Sequence, residues 1–476
     1  MRGASRARRS AGAAAAPADR VGPAEGAWLA VAVLAGAQAL AVMSSTVVSV
    51  ALPTIGAGLH ASASSLLWIV DAYVIVYSAL LVVGGTIGDR RGRKGVFMFG
   101  LVLFGAGSLA DSLAPATGWL LAARVLQGLG PVFVVPGSLT IIRVMFADER
   151  KRVQAIGLWS TGSGLGMAAG PVVGGLIASH LGWRWVFGFN VPIVVILLVL
   201  AARVVPRLPS ASAGGGLDWA GAGLGTVCVA ALAFGLIEGN PLGWTSAGVL
   251  AGFAVSVCAL VLFIVRELRV AVPVVEVRLF RRPAFAAANV AALVVFFAFV
   301  GAIVFLSAFF QDVRGDSPVR AGLQVAVLGV AFAVTAPLSG RLTGRTGPRL
   351  PMLAGLIAAG LAMLALPALR LLHAPGRDGV LLLFAVAGAG IGLCLTPMTQ
   401  VAVSAVDAPR AGMASAVHNA LRQFGQVLGV AVLGAIIDAR GPAGFVAGLD
   451  AAMWVSGAAL LAAALVVALL VRKHHG

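Results

Sequence analysis

Charged residues are scarce in this chain, and their scarcity excludes most soluble folds. Only 11% of its 476 residues are Asp, Glu, Lys or Arg, whereas 60% are hydrophobic and the mean hydropathy is +1.01. A soluble protein of this composition would expose more apolar surface than water tolerates. We therefore expect an all-α protein that crosses a membrane many times.

Cysteine and nucleotide-binding patterns are also missing or rare. Cys228, Cys258 and Cys394 lie inside apolar runs and form no C-x-x-C pair, which argues against a disulfide framework and a metal site. The pattern G-x-x-x-x-G-K-[ST] is missing, so an ATP-driven pump is unsupported. Because no stretch between apolar runs could hold a soluble catalytic domain, we expect neither an enzyme nor a cofactor.

Acidic residues are few relative to basic ones, and the net charge is +17. On a soluble chain this excess would suggest a nucleic-acid partner. Here the cations lie mainly between apolar runs, where membrane topology and anionic headgroups account for them. We expect the lipid bilayer, and no nucleic acid, as the partner. Only three of the 34 basic residues are Lys, a bias that with abundant Ala and Gly is typical of a G+C-rich bacterial coding sequence.

Apolar runs of roughly 20 residues, the length that spans a bilayer, recur fourteen times. Their grouping predicts two six-helix bundles with an inserted helix pair. In chain order, the predicted parts are a disordered basic tail at 1–26, an N-terminal six-helix bundle at 27–205, a linker at 206–218, a two-helix hairpin at 219–265, an interfacial segment at 266–283, a C-terminal six-helix bundle at 284–472 and a tail at 473–476.

One short charged stretch orients these spans. Residues 85–94 read Gly-Thr-Ile-Gly-Asp-Arg-Arg-Gly-Arg-Lys between the second and third runs. Four cations in so short a loop mark the cytoplasmic face, and with fourteen spans both termini then lie in the cytoplasm. Together with the composition, this predicts a multi-pass protein of the bacterial inner or plasma membrane. Residues 340–349 repeat two of the glycines and two of the basic positions, so the two halves look internally repeated.

The first corner resembles the loop signature G-x-L-x-D-R-x-G-R-[KR] of the major facilitator superfamily, with Ile87 in the Leu position. The resemblance implies the fold of that superfamily, with a site between two halves and a gating loop at the cytoplasmic side. A basic loop that only sets topology would explain the charges, but neither the glycine spacing nor the repeat. The residues of this predicted gating loop are Gly85, Asp89, Arg90, Gly92, Arg93 and Lys94.

The fifth run carries glycines four residues apart, from Gly162 to Gly174. This spacing puts them on one helical face, where missing side chains let another helix approach closely. An ordinary packing seam is one interpretation. The string also resembles the antiporter signature of exporters in this superfamily, which favours export over uptake. The positions assigned to that signature are Gly166, Gly170, Pro171, Gly174 and Gly175.

Further resemblances cover both halves. Residues 183–192 look like the pattern W-R-W-x-F-x-x-N-x-P of fourteen-span drug:proton antiporters of the EmrB/QacA type, and residues 68–73 and 421–425 resemble the same group. The resemblance implies a monomeric exporter that exchanges a small amphipathic compound for protons. An uptake facilitator or symporter and a non-transporting sensor remain the alternatives.

Two ionisable residues inside apolar runs are candidates for proton coupling. Arg124, about mid-span, matches the pattern R-x-x-Q-G, where the resemblance implies that the arginine takes part in coupling. A structural arginine that bonds carbonyl groups is the alternative. Asp71 lies in the outer half of the second run, where a carboxyl group can take a proton from one side and release it to the other. A cap or a surface salt bridge is an equally good interpretation of Asp71.

Polar side chains of the thirteenth run share one helical face, which predicts either a substrate surface or hydrogen bonds between helices. In the first run, Ser44 takes the place of the acid in the related signature D-x-T-[IV]-V-x-V-A-L-P. Without that acid, we expect neutral, zwitterionic or anionic substrates rather than dications. The residues assigned to the substrate cavity are Ser44, Gln127, His418, Asn419, Arg422, Gln423 and Gln426.

Overall fold

A computed structural model describes residues 24–146, 148–207, 218–270, 273–374, 376–406 and 411–471. Within these ranges, fourteen helices are long and apolar enough to cross a membrane, which confirms the number predicted from the sequence. The tail at 473–476, nearly all of the tail at 1–26 and most of the linker at 206–218 lie outside the described residues.

The spanning helices form two bundles and an inserted hairpin. The first bundle contains α1 (Ala24–Leu59), α2 (Ala63–Arg91), α3 (Arg93–Ser112), α4 (Thr117–Met145), α5 (Glu149–His180) and α6 (Asn190–Val204), with a short helix at Trp185–Gly188 before α6. The hairpin contains α7 (Trp219–Ile237) and α8 (Ala247–Arg269). The second bundle contains α9 (Pro283–Ala308), α10 (Pro318–Thr346), α11 (Arg349–Ala368), α12 (Asp378–Ser404), α13 (Ala411–Asp438) and α14 (Phe445–Leu470).

Local sequence signals set several helix ends. Among the described residues, five precede a helix and accept a hydrogen bond from the backbone N–H three residues later, which satisfies a donor that the helix leaves unpaired. These capping residues are Ser62, Asp148, Asp218, Ser246 and Ser317. The turns between α2 and α3 and between α10 and α11 contain Gly92 (φ 95°) and Gly347 (φ 76°), in a conformation that glycine adopts without strain.

The two basic corners are equivalent in three dimensions as well as in sequence. We call the membrane face that carries Gly92 and Gly347 the corner face, and the other the distal face. Lys94 Nζ donates to the carbonyl of Ala202 at 2.8 Å, and a terminal nitrogen of Arg349 donates to that of Ala468 at 2.6 Å. Each carbonyl lies in the last turn of the sixth helix of its half, where a cation is stabilised by the helix dipole.

The halves meet mainly through α5 against α10 and α2 against α13. Gly175 lies against the backbone of Pro318, and Gly434 lies against the side chain of Leu67. Gln311 Nε2 also donates to the carbonyl of Val50 at 2.9 Å. Each of these contacts lies in the part of its helix nearer the distal face, so the described contacts hold that face closed.

The inserted hairpin lies across the seam between the halves. Helix α7 packs on both α2 and α13. At the distal face, Trp68 Nε1 of α2 donates to Glu238 Oε1 at 2.9 Å, and Asn240 Nδ2 donates to the carbonyl of Ala435 in α13 at 2.7 Å. The end of the hairpin is thus bonded to both bundles.

Candidate functional site

Arg124 on α4 is fully buried and binds α4 to α2. Its Nε donates to the carbonyl of Ile69 at 2.9 Å, and a terminal nitrogen donates to Gln127 Oε1. Its guanidinium also stacks over the ring of Tyr73 at 4.4 Å from the centroid. The residue lies two turns from the distal end of α4, closer to that face than the mid-span position expected from the sequence.

A chain of hydrogen bonds continues from Arg124 through the N-terminal bundle. Gln127 Nε2 donates to Ser108 Oγ at 2.7 Å, and Asn190 Nδ2 reaches the same hydroxyl at 3.3 Å and Ser44 Oγ at 3.5 Å. Ser44 and Gln127 are both buried. The structure therefore assigns these two residues to a network inside the bundle, whereas the sequence predicts that they line the substrate cavity.

The two predicted proton-coupling residues are not partners. Asp71 is fully buried, and neither of its carboxylate oxygens has a hydrogen-bond partner in the described part of the chain. The acid that interacts electrostatically with Arg124 is Asp111 on α3, which is also fully buried. Sequence reasoning missed Asp111 because it lies at the end of an apolar run, where acids are usually solvated.

The glycines of α5 divide between two neighbours. Gly162, Gly166, Gly170 and Gly174 lie against the backbone or side chains of α1, within the same half. Gly175 faces α10 of the other half instead, and Pro171 lies beside Gly322 of that helix. The signature therefore contains both a packing seam inside the bundle and a contact between the halves.

The polar stripe of α13 also divides. His418 is buried between two helices, with Nδ1 3.1 Å from Asn289 Oδ1 and Nε2 3.2 Å from Thr399 Oγ1. This arrangement fits the second interpretation from the sequence, hydrogen bonding between helices. Gln426 Nε2 donates to Gln423 Oε1, so these two residues support each other.

Arg422 and its surroundings form a surface shared by both halves, which we call the central surface. The Arg422 guanidinium lies 4.3 Å from the ring centroid of Phe296, and it interacts with Tyr77 of α2. Tyr77 also faces the side-chain amides of Asn419 and Gln423. Among the described residues no carboxylate pairs with Arg422, and its Nε is buried without a hydrogen-bond partner.

Aromatic side chains extend the central surface into the N-terminal half. Trp159 of α5 packs on a small apolar cluster that includes Tyr77 and Val135. Its Nε1 donates to Ser138 Oγ at 2.8 Å, which fixes the indole ring. The central surface therefore combines flat apolar rings, amide groups and one guanidinium that no described carboxylate pairs with. Its residues lie near the middles of their helices.

The gating loop predicted from the sequence is partly described. Gly85 lies in the last turns of α2, where an added Cβ would meet Pro136 of α4 at 3.3 Å. Arg90 lies in the last turn of α2, and Arg93 and Lys94 begin α3. The side chain of Asp89 lies outside the described part of the structure.

Comparison with known proteins identifies the family. The family model described as Major Facilitator Superfamily matches residues 34–430. The chain belongs to the major facilitator superfamily. It is 36% identical over 399 residues to the multidrug resistance protein Stp of Mycobacterium tuberculosis, covering 83% of this chain and 73% of Stp. It is 35% identical over 402 residues to the methylenomycin A resistance protein of Streptomyces coelicolor, covering 84% of this chain and 83% of that protein.

Solved structures agree on the fold. A POT family transporter in complex with 5-aminolevulinic acid aligns with a TM-score of 0.68 at 15% identity, covering 92% of this chain and 95% of the other. With the family match and the fourteen candidate spans, the protein is a polytopic membrane transporter with two six-helix halves and two inserted helices. Its family and relatives are transporters and not enzymes. The fold and the assignment as a transporter, not an enzyme, confirm the expectations from the sequence.

Proposed function

We propose that this transporter exports amphipathic antibiotics or similar drugs in exchange for protons, by alternating access. The central surface carries the proposal, because it is built by both halves and lies at the depth where such transporters bind substrate. The distal contacts close the site on one side, so a substrate would reach it from the corner face.

Export is favoured over uptake by the relatives. Those at 35–36% identity are named for multidrug resistance, for resistance to methylenomycin A or as a drug efflux pump. The symporters among the solved structures, such as a D-xylose-proton symporter at 16% identity, share the fold but are too distant to indicate direction. The glycine-proline string of α5 supports the same choice.

The central surface also supports a substrate class. A guanidinium without a counter-charge repels a cation and attracts a carboxylate or phenolate, and the aromatic rings provide apolar area. We therefore propose neutral, zwitterionic or anionic substrates that carry carbonyl or hydroxyl acceptors. The absence of an acid at Ser44 is weaker support, since Ser44 is buried in the network around Arg124.

Everted membrane vesicles test the proposal. With the lumen acidified by respiration, we expect accumulation of acceptor-rich anionic or neutral compounds at least tenfold faster than of dicationic dyes of equal size. Vesicles without the protein provide the background. Accumulation in right-side-out vesicles with an acidic exterior would indicate symport, and binding without flux in either preparation would indicate a sensor. Faster transport of dications would contradict the substrate class.

We also propose that the corner face is cytoplasmic, that both termini lie on that side of a bacterial inner membrane, and that one chain is the working unit. The basic corners support the orientation by the positive-inside rule. The central surface supports a monomer, because one chain supplies both of its sides. Within the described residues, the corner face also carries the charged segment before α9.

Single cysteines test this orientation. Gly92 and Gly347 have positive φ, where cysteine would be strained, so the better sites are Gly95 and Gly344, which are exposed with no neighbour to an added Cβ. In a variant that lacks Cys228, Cys258 and Cys394, we expect Gly95→Cys and Gly344→Cys to react with an impermeant maleimide only in everted vesicles.

Gly118, exposed at the distal end of α4, is the matched control. Its replacement, Gly118→Cys, should react in intact cells. Labelling of either corner-face cysteine in intact cells would reverse the orientation.

A further inference from the structure

Asp111 and Arg124 face each other across the contact between α3 and α4. The helices are antiparallel, and an added Cβ at Gly107 would meet the backbone of Gln127 at 2.5 Å. One turn further toward the distal face, this register brings Asp111 on α3 to the level of Arg124 on α4. The two charges interact but form no ion pair within 4.0 Å among those that the structure describes.

Both groups retain unused hydrogen-bonding atoms. Neither carboxylate oxygen of Asp111 has a partner, and one terminal nitrogen of Arg124 is also without one, although all these atoms are buried. Buried polar atoms without partners are rare in folded proteins and need a reason. The two side chains therefore retain the hydrogen-bonding atoms that a direct ion pair between them would use.

The other groups around Asp111 leave Arg124 as its main charged partner. On α2 the titratable neighbour is Tyr73, and on α6 the polar neighbour is Asn190 in the Ser108 network. Beyond the distal end of α3, Arg184 donates to the carbonyl of Ala114 at 3.1 Å. By contrast, no charged group in the described part of the chain interacts with Asp71.

We propose that Asp111 is the residue that carries the coupled proton, with Arg124 as its counter-charge. This step rests on the proposed proton-driven export. The Asp111 carboxylate takes one proton from water at the distal face and becomes a neutral carboxylic acid. It then releases that proton to water at the corner face and again balances the charge of Arg124. One proton crosses the membrane in each cycle, opposite to the exported substrate.

The pairing couples protonation of Asp111 to the site at which the substrate binds. When Asp111 is neutral, Arg124 keeps its charge and relies on the Ile69 carbonyl and Gln127, and when Asp111 is charged, Arg124 is drawn toward α3. Ile69 lies two turns from Tyr77 on the same helix, and Tyr77 faces Arg422 in the central surface. A shift of α2 would therefore change the site at which the substrate binds.

Variants of the two buried acids, assayed in everted vesicles, test the assignment. We expect Asp111→Asn to reduce accumulation driven by the pH gradient at least tenfold, while exchange of labelled for unlabelled substrate stays within about threefold of the wild type. The rate of exchange should depend on pH in the wild type and become independent of pH in Asp111→Asn. Asp111→Glu should recover part of the gradient-driven accumulation.

Asp316 provides the matched control, because it is a buried distal-face acid that already pairs with Arg377 at 2.7 Å. Asp316→Asn should retain accumulation driven by the gradient. If Asp111→Asn poorly inserts, Asp111→Asn with Arg124→Gln removes both charges and should recover the amount of protein but not coupling.

Full gradient-driven accumulation by Asp111→Asn would overturn the assignment, as would loss of coupling in Asp71→Asn alone. If the wild type accumulates no compound of the charge-matched panel, the proposed export itself is wrong, so the two failures are distinguishable.

Discussion

Gly175→Leu is expected to stop export while the protein still folds and reaches the membrane. An added Cβ at Gly175 would lie 2.9 Å from the carbonyl carbon of Pro318 and 3.1 Å from the Cα of Val319. These are backbone atoms of the other half, so a leucine forces α5 and α10 apart at the distal face instead of disturbing the fold of one bundle. Transport needs that face to close in each cycle, and we expect at least a fiftyfold loss of drug accumulation in everted vesicles.

The neighbouring glycine is a matched control. Gly174 faces Val47 of α1, within its own half. Gly174→Leu should therefore reduce the amount of folded protein in the membrane, whereas Gly175→Leu should not. A cysteine at Leu67, which is buried against Gly434 of the other half, should become reactive from outside in Gly175→Leu. Normal export by well-expressed Gly175→Leu would show that the distal contact is not part of the cycle.

Arg422→Ala is expected to remove transport of anionic substrates selectively. A hydrogen bond to a charged group contributes about 1.5–3 kcal/mol, which corresponds to a roughly tenfold to hundredfold loss of affinity. A neutral substrate of the same shape should lose less than about threefold, because it keeps the contacts with Phe296 and Tyr77. The measurement is the concentration dependence of accumulation for an acid and its methyl ester.

Two further variants separate charge from geometry. Arg422→Lys keeps the charge but loses the flat guanidinium that stacks on Phe296, so we expect partial activity. Arg281→Ala removes one cation from an exposed position and should leave both substrates unaffected. Equal losses for the acid and the ester in Arg422→Ala would show that Arg422 supports the fold or the cycle and does not bind the substrate charge.

The sequence predicted the family and the number of spans correctly because these depend on local patterns. Apolar runs of bilayer length give the number of spans. A basic loop such as residues 85–94 predicts the cytoplasmic side however the helices pack against one another. The equivalent bonds of Lys94 and Arg349 follow from the repeat that the two corners already showed. The roles of the site residues depend on which residues meet in the folded chain. Most of the roles assigned to them from the sequence therefore stay predictions.

The sequence by itself determined that this chain spans a membrane fourteen times, that its halves repeat, and that its α5 glycines and α13 polar residues each share a helical pattern. Only the tertiary structure decided which neighbour each residue meets. Gly174 and Gly175 are adjacent in sequence but face different halves, because successive residues of a helix point about 100° apart. Asp111 meets Arg124 through the register of two antiparallel helices, and no spacing along one chain segment encodes that register.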